Sequence, residues 1–263
     1  MVELAEVLAD LRAESEEVDA LVANLPDARW AEPTPADGWT IAHQIAHLAW
    51  TDRASVLAIT DPAGFADLLA TALEDAESYV DRGAAEFLDE PPRLLARWRA
   101  GREVLAGALA AVPPGQRIPW YGTAMSPASM ATARIMETWA HGLDIAEALG
   151  VRRSPTARLR HIVHLGHRTY AHSFLAHDLP PPPRPVRLEL TAPDGSLWTY
   201  GPQQATDRVT GSALHFCLLV TQRRHRADLD LVAEGEHADR WLDVAQAFAG
   251  PPGRGRKPTG VAP

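Results

Sequence analysis

Cysteine and lysine are almost missing from this chain. Its one cysteine, Cys217, excludes an internal disulfide. The surrounding Leu214-His215-Phe216-Cys217-Leu218-Leu219 reads as a buried helix face, where a thiol serves as a small hydrophobe. Of the 25 Lys and Arg side chains only Lys257 is lysine; with abundant alanine this points to a GC-rich genome, an inference about codons rather than physics. No run approaches the roughly 18 uninterrupted apolar residues of a membrane-spanning helix. The acidic start Val2-Glu3-Leu4-Ala5-Glu6 lacks the basic region of a secretion signal. The expectation is a soluble, cytoplasmic protein with no membrane partner. Basic blocks are scarce too: the net charge is −9, and only the short Arg254-Gly255-Arg256-Lys257 stands out, so a phosphate-tracking surface, and nucleic acid as a partner, are not expected.

What is present is ordinary globular material: 263 residues, 46% hydrophobic and 22% charged, enough for one large or two modest domains. The first two-thirds reads as successive helices. Over residues 4 to 25, Leu4, Val7, Leu8, Leu11, Val18, Leu21, Val22 and Leu25 recur mostly at three- and four-residue steps, the mark of a helix with one buried stripe. Pro33-Thr34-Pro35-Ala36-Asp37-Gly38 is loop chemistry, and Thr40 is placed to cap a second helix to about Thr60. A less regular stretch, 62 to 80, is expected to be helical. Pro91-Pro92 opens a third long helix, ended by Pro113-Pro114-Gly115. A fourth runs from about Ser126 to Leu149 with Gly150 at its C-terminal cap. A fifth is expected from Ser154-Pro155 to about His177.

Pro180-Pro181-Pro182-Pro183-Arg184-Pro185 cannot lie inside a helix and favours a stiff extended spacer. Beyond it the period drops to two. Val186, Leu188 and Leu190 alternate with polar residues, and Asp194-Gly195 turns the chain into Leu197-Trp198-Thr199-Tyr200, a hairpin pattern. Residues 209 to 226 read as an apolar helix, Leu229 to Ala233 as a strand and Ala238 to Phe248 as a last helix. The fold class expected is therefore α+β, with a helical bundle over 1–179, a small α+β domain over 186–250, and a disordered tail over 251–263.

Glu137 and His141 stand four residues apart on the fourth helix, and His47 lies in the middle of the second. An i, i+4 pair points two side chains the same way, and imidazole with carboxylate suits a borderline divalent ion such as Zn²⁺. If both helices belong to one bundle, His47, Glu137 and His141 can meet in its core and leave a coordination position open. A Glu-x-x-x-His pair alone is also what chance places on a solvated helix face. The apolar setting of His47, with Gln44 and Thr51 on its face, and the flanking Ile135, Trp139 and Leu143 favour the metal.

The string Asp37-Gly38-Trp39-Thr40 followed by Ala46-His47-Leu48, and then Glu137-Thr138-Trp139-Ala140-His141-Gly142-Leu143-Asp144, resembles the metal-binding pattern of the DinB-like superfamily. More narrowly it resembles the mycothiol-dependent maleylpyruvate isomerase group of actinobacteria. The resemblance implies an N-terminal DinB-like four-helix bundle, a smaller α+β cap with the metal near their junction, and His47, Glu137 and His141 as the ligands. It implies a divalent metal, usually zinc, that recruits mycothiol as cosubstrate and favours its thiolate, the nucleophilic form. Addition of thiolate to an activated double bond, rotation and elimination would give isomerisation; attack with loss of a leaving group would give S-transfer. The partners implied are the thiol and a small electrophilic substrate, on a monomer or homodimer. A hydrolase or lyase using metal-bound water without thiol, or a binding protein without turnover, stays open.

Arg223 matches an arginine that in this group ends a helix of the C-terminal domain and faces the cleft, where a guanidinium can grip a carboxylate twice; it is equally an ordinary helix-end arginine. Arg82 falls near a substrate arginine of the group, or is a solvated loop residue. Trp120 and Tyr121 are expected to line the pocket mouth where the cofactor binds, or to plug the end of the bundle. The sequence departs from the group in its histidine-rich fifth helix, where His161, His164, His167 and His172 offer a rival metal site or are packed and solvated side chains, and in the string Val220-Thr221-Gln222-Arg223-Arg224-His225-Arg226. His43 lacks the following glutamate of a His-Glu-x-x-His motif and is expected either to support the metal ligands from behind or to be structural.

Overall fold

Helix starts follow the caps that the sequence supplies. In the computed structural model, which describes residues 3–76 and 78–259, α1 spans Leu4–Val22 and α2 spans Ile41–Thr60. The latter opens on a capping box in which the Thr40 backbone N–H donates to His43 Nδ1, which gives His43 a structural role. Pro62 sits in the first turn of α3 (Pro62–Glu74), with Asp61 accepting from Gly64 N–H. After α4 (Tyr79–Glu86), Pro91 opens α5 (Pro91–Ala111), and Ser126 caps α6 (Pro127–Ala148).

The chain divides into two compact units, one through Arg153 and one from Ser154. In the first, α1, α2, α5 and α6 form the four-helix bundle: α1 packs on α6, α6 on α2, and α2 on α5. Ile41, Ile45, Leu48, Leu94, Trp98 and Ile145 are fully buried in its core. A polar stripe runs through the same interior. Gln44, His47, Thr51, Asp52 and Ser55 on α2, and Thr132, Arg134 and Thr138 on α6, are all buried. Arg134 Nε donates to Asp52 Oδ1 at 2.9 Å.

The second unit contains α7 (Leu159–Arg168), α8 (Tyr170–Leu175), β1 (Val186–Thr191), β2 (Leu197–Tyr200), β3 (Asp207–Ser212), α9 (Ala213–Val220), β4 (Leu231–Glu234) and α10 (Glu236–Val244). Its sheet has the order β2-β1-β3-β4. β1 pairs antiparallel with β2, placing Leu188 opposite Tyr200, and parallel with β3, placing Val186 opposite Asp207. β3 and β4 are antiparallel. Cys217 is fully buried in α9, and burial pushes its thiol pKa up, consistent with a core role. Among the described residues no helix is long and apolar enough to cross a membrane.

The α+β class and the bundle stand, while several boundaries differ from the sequence reading. The unit break falls at Arg153/Ser154 and not at the proline run. The segment expected to extend the bundle packs instead in the second unit, where Gly166 of α7 lets Phe216 and Val220 of α9 approach within about the reach of a methyl group. That segment is also not one helix: Thr169 interrupts it, its hydroxyl donating to Gly166 O and Gln246 O. Residues 209 to 226 are not all helix, because 207–212 is strand β3, and Ser212 then caps α9 by accepting from His215 N–H. The helical stretch expected over 62 to 80 stops at Glu74, and α4 starts at Tyr79. The last helix is Glu236–Val244. In the tail, 251–259 carry no helix or strand, yet Thr259 is hydrogen-bonded to Asp228; residues 260–263 lie outside the described residues.

The Arg134–Asp52 pair gives a test of the bundle interior. Arg134→Met leaves a buried carboxylate without its partner and is expected to cost about 3–5 kcal/mol. The double variant Arg134→Met/Asp52→Leu should recover most of that loss in urea unfolding. Equal destabilisation of both variants would show that the pair's charges do not govern the effect.

Candidate metal centre

α2 and α6 lie side by side in the bundle, and this packing brings together side chains ninety residues apart in sequence. His47 Nε2 and His141 Nε2 each lie 3.2 Å from Glu137 Oε2, and one donor atom from each of the three lies within 4.8 Å of the others. Bonds of about 2.0–2.1 Å arranged tetrahedrally set donors about 3.3 Å apart, so the spacing around Glu137 already suits a zinc-like ion. Burial pushes the Glu137 carboxyl pKa up, but the hydrogen bonds and charges of His141 and His47 outweigh it and hold it well below the usual carboxylate range. An ionised carboxylate facing two imidazoles is the donor set that a divalent ion requires.

The rings are held from several sides. The Trp39 indole stacks on His141 with centroids 5.8 Å apart and planes 20° from parallel, and it tilts against His47 at 5.3 Å. Its Nε1 donates to Asp81 Oδ1 of α4 at 2.8 Å. Trp50 lies behind His47, with centroids 5.7 Å apart. A Cβ added at Gly83 would fall 2.3 Å from the Trp50 ring, so α4 approaches only because residue 83 has no side chain. His141 Nδ1 meets Gln44 Oε1 at 2.5 Å.

The remaining candidates have other partners. Arg82 lies on α4 and pairs with Asp75 at 2.9 Å. Trp120 stacks on Phe65 at 5.6 Å, and Tyr121 shares a 2.7 Å hydroxyl hydrogen bond with Tyr79. Tyr79 in turn stands edge-on to Trp50, which links these aromatics to the site at one remove. Arg223 belongs to the second unit, just past α9, and donates to Thr221 O. In the histidine-rich segment, His164 and His167 flank Tyr200, and His167 Nε2 lies 3.3 Å from Val186 O. Among the described residues no three metal-capable side chains converge there.

Residues that sequence reasoning did not place at the site are Trp39, Trp50 and Asp81. The Asp37-Gly38-Trp39-Thr40 string carried a signal for Trp39, but nothing local shows that its ring covers both histidines.

The family model for the mycothiol maleylpyruvate isomerase N-terminal domain matches residues 11–146, over half of the chain. The chain belongs to this family. A second model, described as wyosine base formation, matches residues 182–234. Two uncharacterized proteins of Mycobacterium tuberculosis, from strains CDC 1551 / Oshkosh and ATCC 25618 / H37Rv, are each 58% identical over 250 residues, covering 95% of this chain and 97% of theirs. The fold is similar to the crystal structure of the mycothiol-dependent maleylpyruvate isomerase, with a TM-score of 0.58 at 17% identity, covering 88% of this chain and 93% of that one. It is likewise similar to a histidine-to-alanine mutant of that enzyme, at a TM-score of 0.57. The family match takes in both α2 and most of α6, the helices that carry the three donors.

The geometry predicts that His47→Ala and His141→Ala each weaken zinc binding by more than about tenfold, since loss of even an outer-sphere partner reaches that scale. His164→Ala should bind as wild type does. Metal analysis after equilibrium dialysis reads the difference, and equal loss at His164 would move the site to α7.

Proposed function

We propose that the protein is a divalent-metal-dependent enzyme that activates a low-molecular-weight thiol, mycothiol, for isomerisation or S-transfer on a small electrophilic substrate. The observation that carries this reading is the convergence of His47, Glu137 and His141 on two helices within the stretch matched by the family model. Two imidazoles and a carboxylate leave a position open on a tetrahedral ion, and zinc is the ion best suited to that set. A metal bound there would supply the charge that deprotonates a thiol near neutral pH.

The chain's own residues would then do the rest. Glu137 stays ionised between the histidines and offsets the charge of the ion. Trp39 covers the imidazoles on one side and Trp50 backs His47, which limits water at the donors. Trp120 and Tyr121 are proposed to line the way to the site for the thiol. Arg223 is proposed as the anchor for an acidic substrate, its guanidinium suited to two hydrogen bonds with a carboxylate. Arg82, already paired with Asp75, is less suited to that task. The cytoplasm, where such thiols are kept reduced, is the proposed compartment.

Calorimetric titration of mycothiol into zinc-loaded wild type and into His47→Ala tests the reading. Saturable binding to wild type that is lost in the variant is expected, and Arg223→Ala should then abolish turnover while keeping its zinc. Zinc binding without any response to mycothiol would contradict thiol activation and favour a hydrolase or lyase acting through metal-bound water.

A further inference from the structure

We propose that Gln44, oriented by Thr34, is a positioning residue that fixes the tautomer of His141 so that Nε2 presents its lone pair to the site. The proposal rests on the metal reading above and concerns residues that none of the comparisons assigns. Gln44 is fully buried on α2, one turn before His47. Its side chain reaches across to α6, where Oε1 meets His141 Nδ1, and its Nε2 donates to Thr34 Oγ1 at 2.8 Å.

The direction of the amide follows from Thr34. The Thr34 hydroxyl oxygen lies 2.8 Å from the Trp39 carbonyl oxygen. A carbonyl can only accept, so the single hydroxyl proton must point to it. The lone pairs of Thr34 are then left for Gln44, which must turn its NH₂ toward the threonine and its oxygen toward His141. An amide oxygen also only accepts, so His141 Nδ1 must carry a proton. Nε2, 3.2 Å from Glu137 Oε2, is thereby the nitrogen left to ligate, releasing the proton it shares with Glu137 when a metal binds. The opposite amide orientation would set the Thr34 oxygen against the Trp39 oxygen with no proton between them.

The loop that carries Thr34 is itself closed. Thr34 N–H donates to Trp39 O at 2.8 Å, Pro33 and Thr40 form a bridge, and Gly38 adopts φ +74 to complete the turn. One short loop therefore sets both the Trp39 ring over the histidines and the proton on His141.

Zinc affinity, measured by competition with a chromophoric chelator, separates this role from simple packing. Gln44→Met keeps the length of the side chain but has no comparable acceptor, and it should weaken zinc binding about 10- to 100-fold. Gln44→Glu restores an oxygen at the same reach and should bind zinc at least as tightly as wild type. Thr34→Val, in a half-buried loop, should lose affinity by a smaller factor, and it decides the matter if Gln44→Met fails to fold. Imidazole ¹⁵N spectra of the metal-free protein give a second readout: His141 Nδ1 is protonated in wild type and Gln44→Glu, and its proton redistributes in Gln44→Met. Wild-type affinity in Gln44→Met, or wild-type affinity in Thr34→Val where Gln44→Met does not fold, would overturn the relay and leave the metal centre standing. A wild type that binds no zinc would overturn the metal reading instead, and the spectra would still decide whether Gln44 sets the proton.

Discussion

A carboxylate half-buried between two helices must be offset where it lies, and in this protein the offset comes from imidazoles on both. Glu137 shares one oxygen between His47 of α2 and His141 of its own helix. Stripped of those partners, a carboxylate largely shielded from water would cost a few kcal/mol. The interaction that gathers these side chains therefore also ties α6 to α2. A divalent ion would fit the same constraint, since it replaces two weak offsets by one strong one.

Around that centre the polar interior is arranged in layers. Apolar residues such as Ile41, Ile45, Leu48 and Ile145 provide the burial that makes the polar contacts matter. The Asp52–Arg134 pair lies one to two turns further along the same two helices, a second point at which α2 and α6 meet through charge. Burial raises the Asp52 pKa even against the Arg134 guanidinium, which marks how dry this stretch of the bundle is. Two models from known families fall on different units: the isomerase N-terminal domain on the first and wyosine base formation on the second. The residues proposed to hold the metal all lie in the first unit.

Much of this was legible in the sequence, for reasons that are themselves physical. The long helices α1, α2, α5 and α6 announce themselves by three-to-four periodicity and by Thr40, Pro91 and Ser126 at their starts. That His47, Glu137 and His141 come together was legible because an i, i+4 Glu-His pair and a histidine within an apolar helix are local patterns. What was not legible depends on partners distant in the chain. Strand β3 was hidden because Val209 and Thr210 run directly into the apolar helix α9, with only Ser212 to mark the change. The break at Thr169 depends on the carbonyl of Gln246, 77 residues away. The proline run is a strong local signal, but the unit boundary is set by which surface α7 covers, and that surface is α9. Gln44 and Thr51 could be placed on the face of His47, whereas the contact of Gln44 with His141 spans 97 residues.

The place where an ion binds decides whether His47, Glu137 and His141 form a metal centre. Anomalous diffraction at the zinc edge, from crystals grown with stoichiometric zinc, locates it without reference to activity. One zinc per chain is expected, held by the Nε2 atoms of His47 and His141 and a carboxylate oxygen of Glu137. A zinc peak at the α7 histidines, or none between α2 and α6, would contradict it.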